Sequence, residues 1–90
     1  MEVYEAINRM RAISEQGGNF SFAFMSYSYE RRKSDGIVKI EHARLRKQSR
    51  KESNRFADYM LNFIDLDTME YGMCWQPLLL EFNGNELELR

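Results

Sequence analysis

The chain has 90 residues, of which 43 % are hydrophobic, 13 % aromatic and 30 % charged, the make-up of one small soluble globular domain. Thirteen Lys and Arg stand against fourteen Asp and Glu, and a formal net charge of −1 excludes a histone-like polycation and an acidic tail. No run approaches the roughly 18 apolar residues of a membrane helix, and Glu2 and Glu5 do not fit a signal-peptide start.

Scarce residues narrow the chemistry. A domain of this size buries only about 60 % of its unfolded surface, which leaves little room for a deep active site. The single cysteine, Cys74, has no internal disulfide partner, so a reducing intracellular setting fits. One cysteine and one histidine, His42, are too few for a zinc site of the Cys/His kind. With Pro77 as the only proline there is no linker-like stretch, and no internal repeat is found. Residues 1–90 therefore read as a single domain: a helix over about 2–16, a bent hairpin over about 19–48, a polar connection over 49–54 and strands over about 57–89.

Val3, Ala6, Ile7, Met10 and Ile13 recur at spacings of three and four, which predicts an amphipathic helix ended by Gly17-Gly18 as its C-cap. From Asn19 the period changes to two. Phe20, Phe22 and Phe24 alternate with Ser21 and Ala23, then the phase slips to Met25, Tyr27 and Tyr29, a pattern expected of a strand. The polar stretch Glu30 to Gly36 reads as a turn, followed by a strand from Ile37 to about Lys47. That strand slips too, from Val38 and Ile40 to Ala43 and Leu45. A register placing Lys33-Ser34 at the tip sets Tyr29 against Val38, Tyr27 against Ile40, Phe24 against Ala43 and Phe22 against Leu45. It predicts a hairpin bent or bulged near Met25 and His42, its two halves burying opposite faces.

The polar segment Ser49 to Asn54 is expected to be a mobile connection. Over Asp58 to Leu66 a strand is preferred to a helix, because the stretch is aromatic-rich and ends in the turn-like Asp67-Thr68-Met69-Glu70. The next strand is expected over Tyr71 to Phe82, with Pro77 at an edge or bulge. Asn83-Gly84 is the strongest hairpin signal, pairing Leu80 with Leu87 and Leu78 with Leu89. The expected fold class is α+β: an N-terminal amphipathic helix followed by an antiparallel meander of about five strands, as a curled sheet or small barrel.

Templates for chemistry match weakly. Asp65-Leu66-Asp67 with Glu70 resembles the start of a calcium loop, but Glu70 stands where that loop needs glycine. Two exposed strand-end carboxylates are the simpler reading. His42 and Cys74 have no orienting third group, so a half-exposed strand histidine and a core thiol are expected rather than a base and nucleophile. No phosphate loop and no nucleophile elbow occurs. Hence no catalytic residue, cofactor, metal, membrane or small-molecule substrate is expected.

Charge location says more. Residues 1–30 carry a net −2, residues 31–55 +7 and residues 56–90 −6. Arg31, Arg32, Lys33, Lys39, Arg44, Arg46, Lys47, Arg50, Lys51 and Arg55 form a candidate basic contact surface. Asp65, Asp67, Glu70, Glu81, Glu86 and Glu88 form a candidate acidic one. Three readings follow: the segments neutralise each other across the fold; the basic block contacts phosphate, as a nucleic-acid-binding module does, or an acidic protein surface; or basic and acidic surfaces of different subunits meet. The tyrosine- and phenylalanine-rich strand beside basic residues resembles a base-stacking platform, but its partners in the expected register are apolar, which favours core. Glu81 facing Glu86 is unfavourable alone and fits best beside a basic neighbour.

Phe20-Ser21-Phe22 with Met25-Ser26-Tyr27, His42-Ala43-Arg44-Leu45-Arg46, Asp65-Leu66-Asp67, and Trp75-Gln76-Pro77-Leu78 with Phe82-Asn83-Gly84 together give the chain a resemblance. It resembles, along its whole length, small uncharacterised proteins encoded in prophages and mobile elements of gut bacteria. The resemblance carries over no site residue. It implies a phage setting, in the bacterial host cytosol or a virion, where small β-rich proteins are commonly structural or assembly components. The leading expectation is a non-enzymatic interaction or assembly protein, oligomeric, working through sheet edges and charged surfaces. The alternative is nucleic-acid binding through 31–55.

Overall fold

The computed structural model describes residues 1–28, 33–46 and 59–88. Helix α1 (Val3–Glu15) carries Val3, Ala6, Ile7 and Met10 on its buried stripe, the face its periodicity predicts. Its end is a Schellman motif. Gly17 has φ 79°, its N–H bonds to the Ser14 carbonyl at 3.1 Å, and the Gly18 N–H reaches back to the Ile13 carbonyl at 2.9 Å.

Six strands follow: β1 (Phe20–Ser28), β2 (Lys33–Leu45), β3 (Met60–Asp65), β4 (Glu70–Trp75), β5 (Leu79–Phe82) and β6 (Asn85–Glu86). They form one open antiparallel sheet in the order β4-β3-β2-β1-β5-β6. The α+β class is as expected, with three corrections. Among the described residues there are six strands rather than five, because Pro77 stands in a 3-10 turn (Gln76–Leu78) that divides the expected strand 71–82 in two. Proline lacks an N–H and has a fixed φ, so the ladder stops there. The order is not a plain meander, because β5 returns beside β1. And, among the described residues, the sheet does not close into a barrel.

The sheet is nevertheless strongly curled. Laid flat, β4 and β5 lie four strand spacings apart, about 19 Å. The steps from Trp75 to Leu79 span at most about 14 Å. Curling brings Phe63 of β3 across to Phe22 and Phe24 of β1, at centroid distances of 5.1 and 5.7 Å.

The source of the curl also corrects the hairpin register. Phe24 pairs with Val38, Phe22 with Ile40 and Phe20 with Ala43, while Ser28 pairs with Lys33, so Lys33-Ser34 belongs to β2 and is not the tip. The expected partners of Tyr29 lie outside the described residues. Two irregularities explain the phase slip that misled the pattern. Between Ile40 and Ala43, β2 carries one residue more than β1, a bulge at Glu41-His42, close to where a bend was expected. A second lies at Asp35, beside Gly36 with φ 100°. The first bulge absorbs the change of parity, so Val38, Ile40, Ala43 and Leu45 all pack on one core instead of on opposite faces.

Beyond β2, the strand at Met60–Asp65 matches the expectation over 58–66. The Asn83-Gly84 turn is also as predicted, both residues having positive φ (48° and 85°), with Leu87 N–H bonded to Leu80 O at 2.9 Å. The Leu78–Leu89 pair and the connection 49–54 fall on or require undescribed residues. Among the described residues, no helix is long and apolar enough to cross a membrane.

Candidate functional site

The sheet's two ends are treated differently. Beyond β6, the N-terminal segment closes the ladder: Glu2 bridges Glu88 in parallel, Val3 N–H bonds to Glu88 O at 3.0 Å, and Glu88 N–H to Met1 O at 2.8 Å. At the other end, β4 is the last strand among the described residues. Its even positions, Gly72 and Cys74, face the core beside Phe63 and Leu61, which sends the odd positions to the outer face. There Tyr71 is 69 % and Met73 51 % exposed, and the Arg46 guanidinium lies 3.9 Å from the Tyr71 ring centroid, a cation–π contact. Tyr, Met and Arg are the residue types enriched at protein interfaces. Sequence reasoning missed this surface; its signal was the alternation Tyr71, Met73, Trp75 against Gly72 and Cys74.

The candidate basic surface is largely outside the described residues: Arg31, Arg32, Lys47, Arg50, Lys51 and Arg55, together with the Lys33 side chain. The described members have internal partners. Arg44 donates from Nε to Gly18 O (3.0 Å) and from Nη2 to Gly17 O (2.7 Å), placing a cation at the negative end of α1. Lys39 Nζ lies 3.9 Å from Glu41 and 3.8 Å from Glu81, reaching the latter across Ala23, whose small side chain sits between them in the register. Glu81 does face Glu86, and Lys39 is the basic neighbour this pair needed, supplied by the same chain. Replacing Arg44 with alanine removes two charge-assisted hydrogen bonds. Melting temperature is expected to fall by about 4–8 °C, for a loss of about 1 kcal/mol, with Arg44→Lys restoring part of it.

The acidic set does not form one surface. Asp65, Asp67 and Glu70 lie at the β3–β4 turn, whereas Glu81, Glu86 and Glu88 lie on or after β5 and β6, toward the opposite end of the strand order. In the turn, Asp65 Oδ1 accepts from the Asp67 N–H at 3.0 Å, and His42 Nδ1 sits 3.0–3.1 Å from both Asp67 oxygens. The hydrogen bond and charge of Asp67 raise the exposed imidazole's pKa above its ordinary 6.5. Protonation is thus favoured in the folded state. The resulting stabilisation is fully present below pH 6.5 and is lost as pH rises through the raised value. An NMR titration is expected to place His42 above 6.5, and Asp67→Asn to return it towards that value.

His42 and Cys74 are not brought together as base and nucleophile: the imidazole is on the surface, whereas Cys74 is 3 % exposed in the core. Burial pushes the thiol up to about 12, so at neutral pH it is neutral and unreactive. A disulfide reagent such as DTNB should leave Cys74 unmodified in the native protein and titrate one thiol after unfolding. Among the described residues, no group of three or more His, Cys, Asp or Glu is arranged to hold a metal ion. A cleft of about 330 Å³ between the end of α1 and the ends of β2 and β3 is lined by Arg11, Glu15, Leu45, Arg46 and Asn62, among others, and presents both signs of charge.

Among the described residues, these features define an α+β protein with an open, curled six-stranded antiparallel sheet and an outer face at its β4 end that exposes Tyr71 and Met73. No family model matches the chain, and neither a curated protein nor a solved structure does.

Proposed function

We propose that this is a non-enzymatic protein-interaction module that engages other protein surfaces through its sheet edges, as a small structural or assembly component does. The observation that carries the reading is β4: a terminal strand bearing exposed Tyr71 and Met73 beside Arg46, while the far end of the sheet is closed by the chain's own N-terminus. Edge strands that are not meant to pair commonly carry charges or proline along their length. In β4 the only charged residue is Glu70 at its start, and Pro77 comes after its end. The resemblance to prophage proteins supports an assembly setting.

A photo-crosslinking residue placed at position 71 or 73 tests this in the native host. Adducts to protein are expected from these positions and not from Asn8 on the exposed side of α1. Adducts to nucleic acid instead, or none from either site, would overturn the reading in favour of phosphate binding by the basic block or of internal charge balance.

A further inference from the structure

Strand β4 offers a ladder whose free groups the strand registers identify. In an antiparallel pair the N–H and C=O of one residue point to the same side, and successive residues alternate. Arg46 N–H bonds to Asn62 O and Leu66 N–H to His42 O, both at 2.8 Å, so the even positions of β3 face β2. Leu61, Phe63 and Asp65 therefore face β4, where they meet Cys74, Gly72 and Glu70. That leaves the N–H and C=O of Tyr71 and of Met73 pointing away from the sheet. Among the described residues none of these four groups has a hydrogen-bond partner. On the turn side the Met69 N–H is taken by Asp65 O at 2.7 Å, so the free stretch begins at Tyr71.

We infer that a second copy of this chain pairs antiparallel with β4 about a two-fold axis at Gly72. The axis sets Tyr71 of each copy against Met73 of the other, and each such pair exchanges both N–H···O=C bonds, so the free groups of both copies are all satisfied. At the axis the closely spaced pair is Gly72 against Gly72, with no Cβ on either strand where the Cα atoms approach to about 4.5 Å. On the outer face each Tyr71 ring lies opposite a Met73 thioether, a favourable contact, with Arg46 on the same ring. Charge agrees: Glu70, the one charged residue of β4, stands opposite Cys74 and meets no like charge. Moving one strand by two residues so that Tyr71 faces its own copy puts Met73 against Met69, whose N–H is taken. A contact this short is weak and concentration-dependent.

The inference rests on the interaction reading above and names its partner. Sedimentation equilibrium of the purified full chain is the test, and a reversible dimer is expected. Met73→Lys, at an exposed position, should raise its Kd by at least about tenfold with the melting temperature of the monomer unchanged. Adding Tyr71→Glu to Met73→Lys sets a carboxylate against an ammonium twice in this register, and should recover the dimer, now weakening as salt is raised. In a register centred on Met73 the ammonium would face its own copy, and the double variant would stay monomeric. A wild-type chain that is strictly monomeric at high concentration would overturn the inference. So would a dimer indifferent to Met73→Lys, or a double variant that does not recover. The β4 reading would survive each of these results if positions 71 and 73 crosslink to other proteins in the host, and would fall if they do not.

Discussion

Replacing Phe22 with alanine is expected to remove about 3–5 kcal/mol of stability, the largest effect of any single change considered in this chain. Phe22 is 1 % exposed and stands at the centre of the aromatic core. Its ring lies 5.6 Å from Phe20, 5.4 Å from Phe24 and 5.1 Å from Phe63, the last edge-on. Phe63 comes from β3, so the contact ties the β3–β4 hairpin to the β1–β2 hairpin across the curl. Truncation loses the transfer free energy of the ring and leaves a cavity that flanking strands, held by their ladders, fill only in part. A domain of this length has on the order of 5–15 kcal/mol in total. Urea unfolding should show a midpoint reduced by a third or more with the slope retained, and the melting temperature should fall by on the order of 20 °C. A cost under about 1 kcal/mol would show that the two hairpins are not coupled through this ring.

Gly72→Ala is the second large effect, and it concerns a surface strand rather than a core side chain. Gly72 pairs with Phe63 across β3 and β4. A Cβ at position 72 would stand 2.6 Å from Phe63 Cζ and 2.9 Å from Cε2, well inside contact distance. The ring covers the glycine and has Phe22 and Phe24 on its other sides, so it cannot swing away without displacing them. The expected cost is about 1–3 kcal/mol from overpacking, seen as a melting temperature lowered by on the order of 10 °C. Because the clash involves one partner, Gly72→Ala in a Phe63→Leu background should cost much less than in the wild type, a non-additivity that a double-mutant cycle measures. Equal costs in both backgrounds would mean the strain lies in the backbone instead.

Gly72 also shows where reading the sequence stopped. In a run such as Tyr71-Gly72-Met73-Cys74 the glycine looks like a weak point in a strand. Its role depends on a phenylalanine nine positions earlier, a relation that only the β3–β4 register creates. The hairpin register of β1 and β2 has the same origin. Both phase slips were visible in the sequence, but pattern alone does not say whether a slip is a change of buried face or an extra residue in one strand. The bulge at Glu41-His42 made it the latter. Candidate contact residues were legible as charges and not as surfaces. Arg44 looked like part of a basic face, yet it closes the end of α1, and Lys39 bridges carboxylates on its own sheet.

What the sequence determined by itself was local. Apolar spacing and a glycine pair set the extent of α1, and Asn83-Gly84 set the last turn, since a left-handed backbone pair admits few residue types. The α+β class followed from the change of period after Gly18. Tertiary structure decided which strands are neighbours, where the sheet ends and what each charge touches. These depend on pairings between residues distant in the chain, and the free energy that selects among them belongs to the whole packed core rather than to any one segment. The net charge of −1 illustrates the difference: the total says nothing of where each charge goes, whereas the fold sets Arg44 on the last carbonyls of α1 and Lys39 between Glu41 and Glu81.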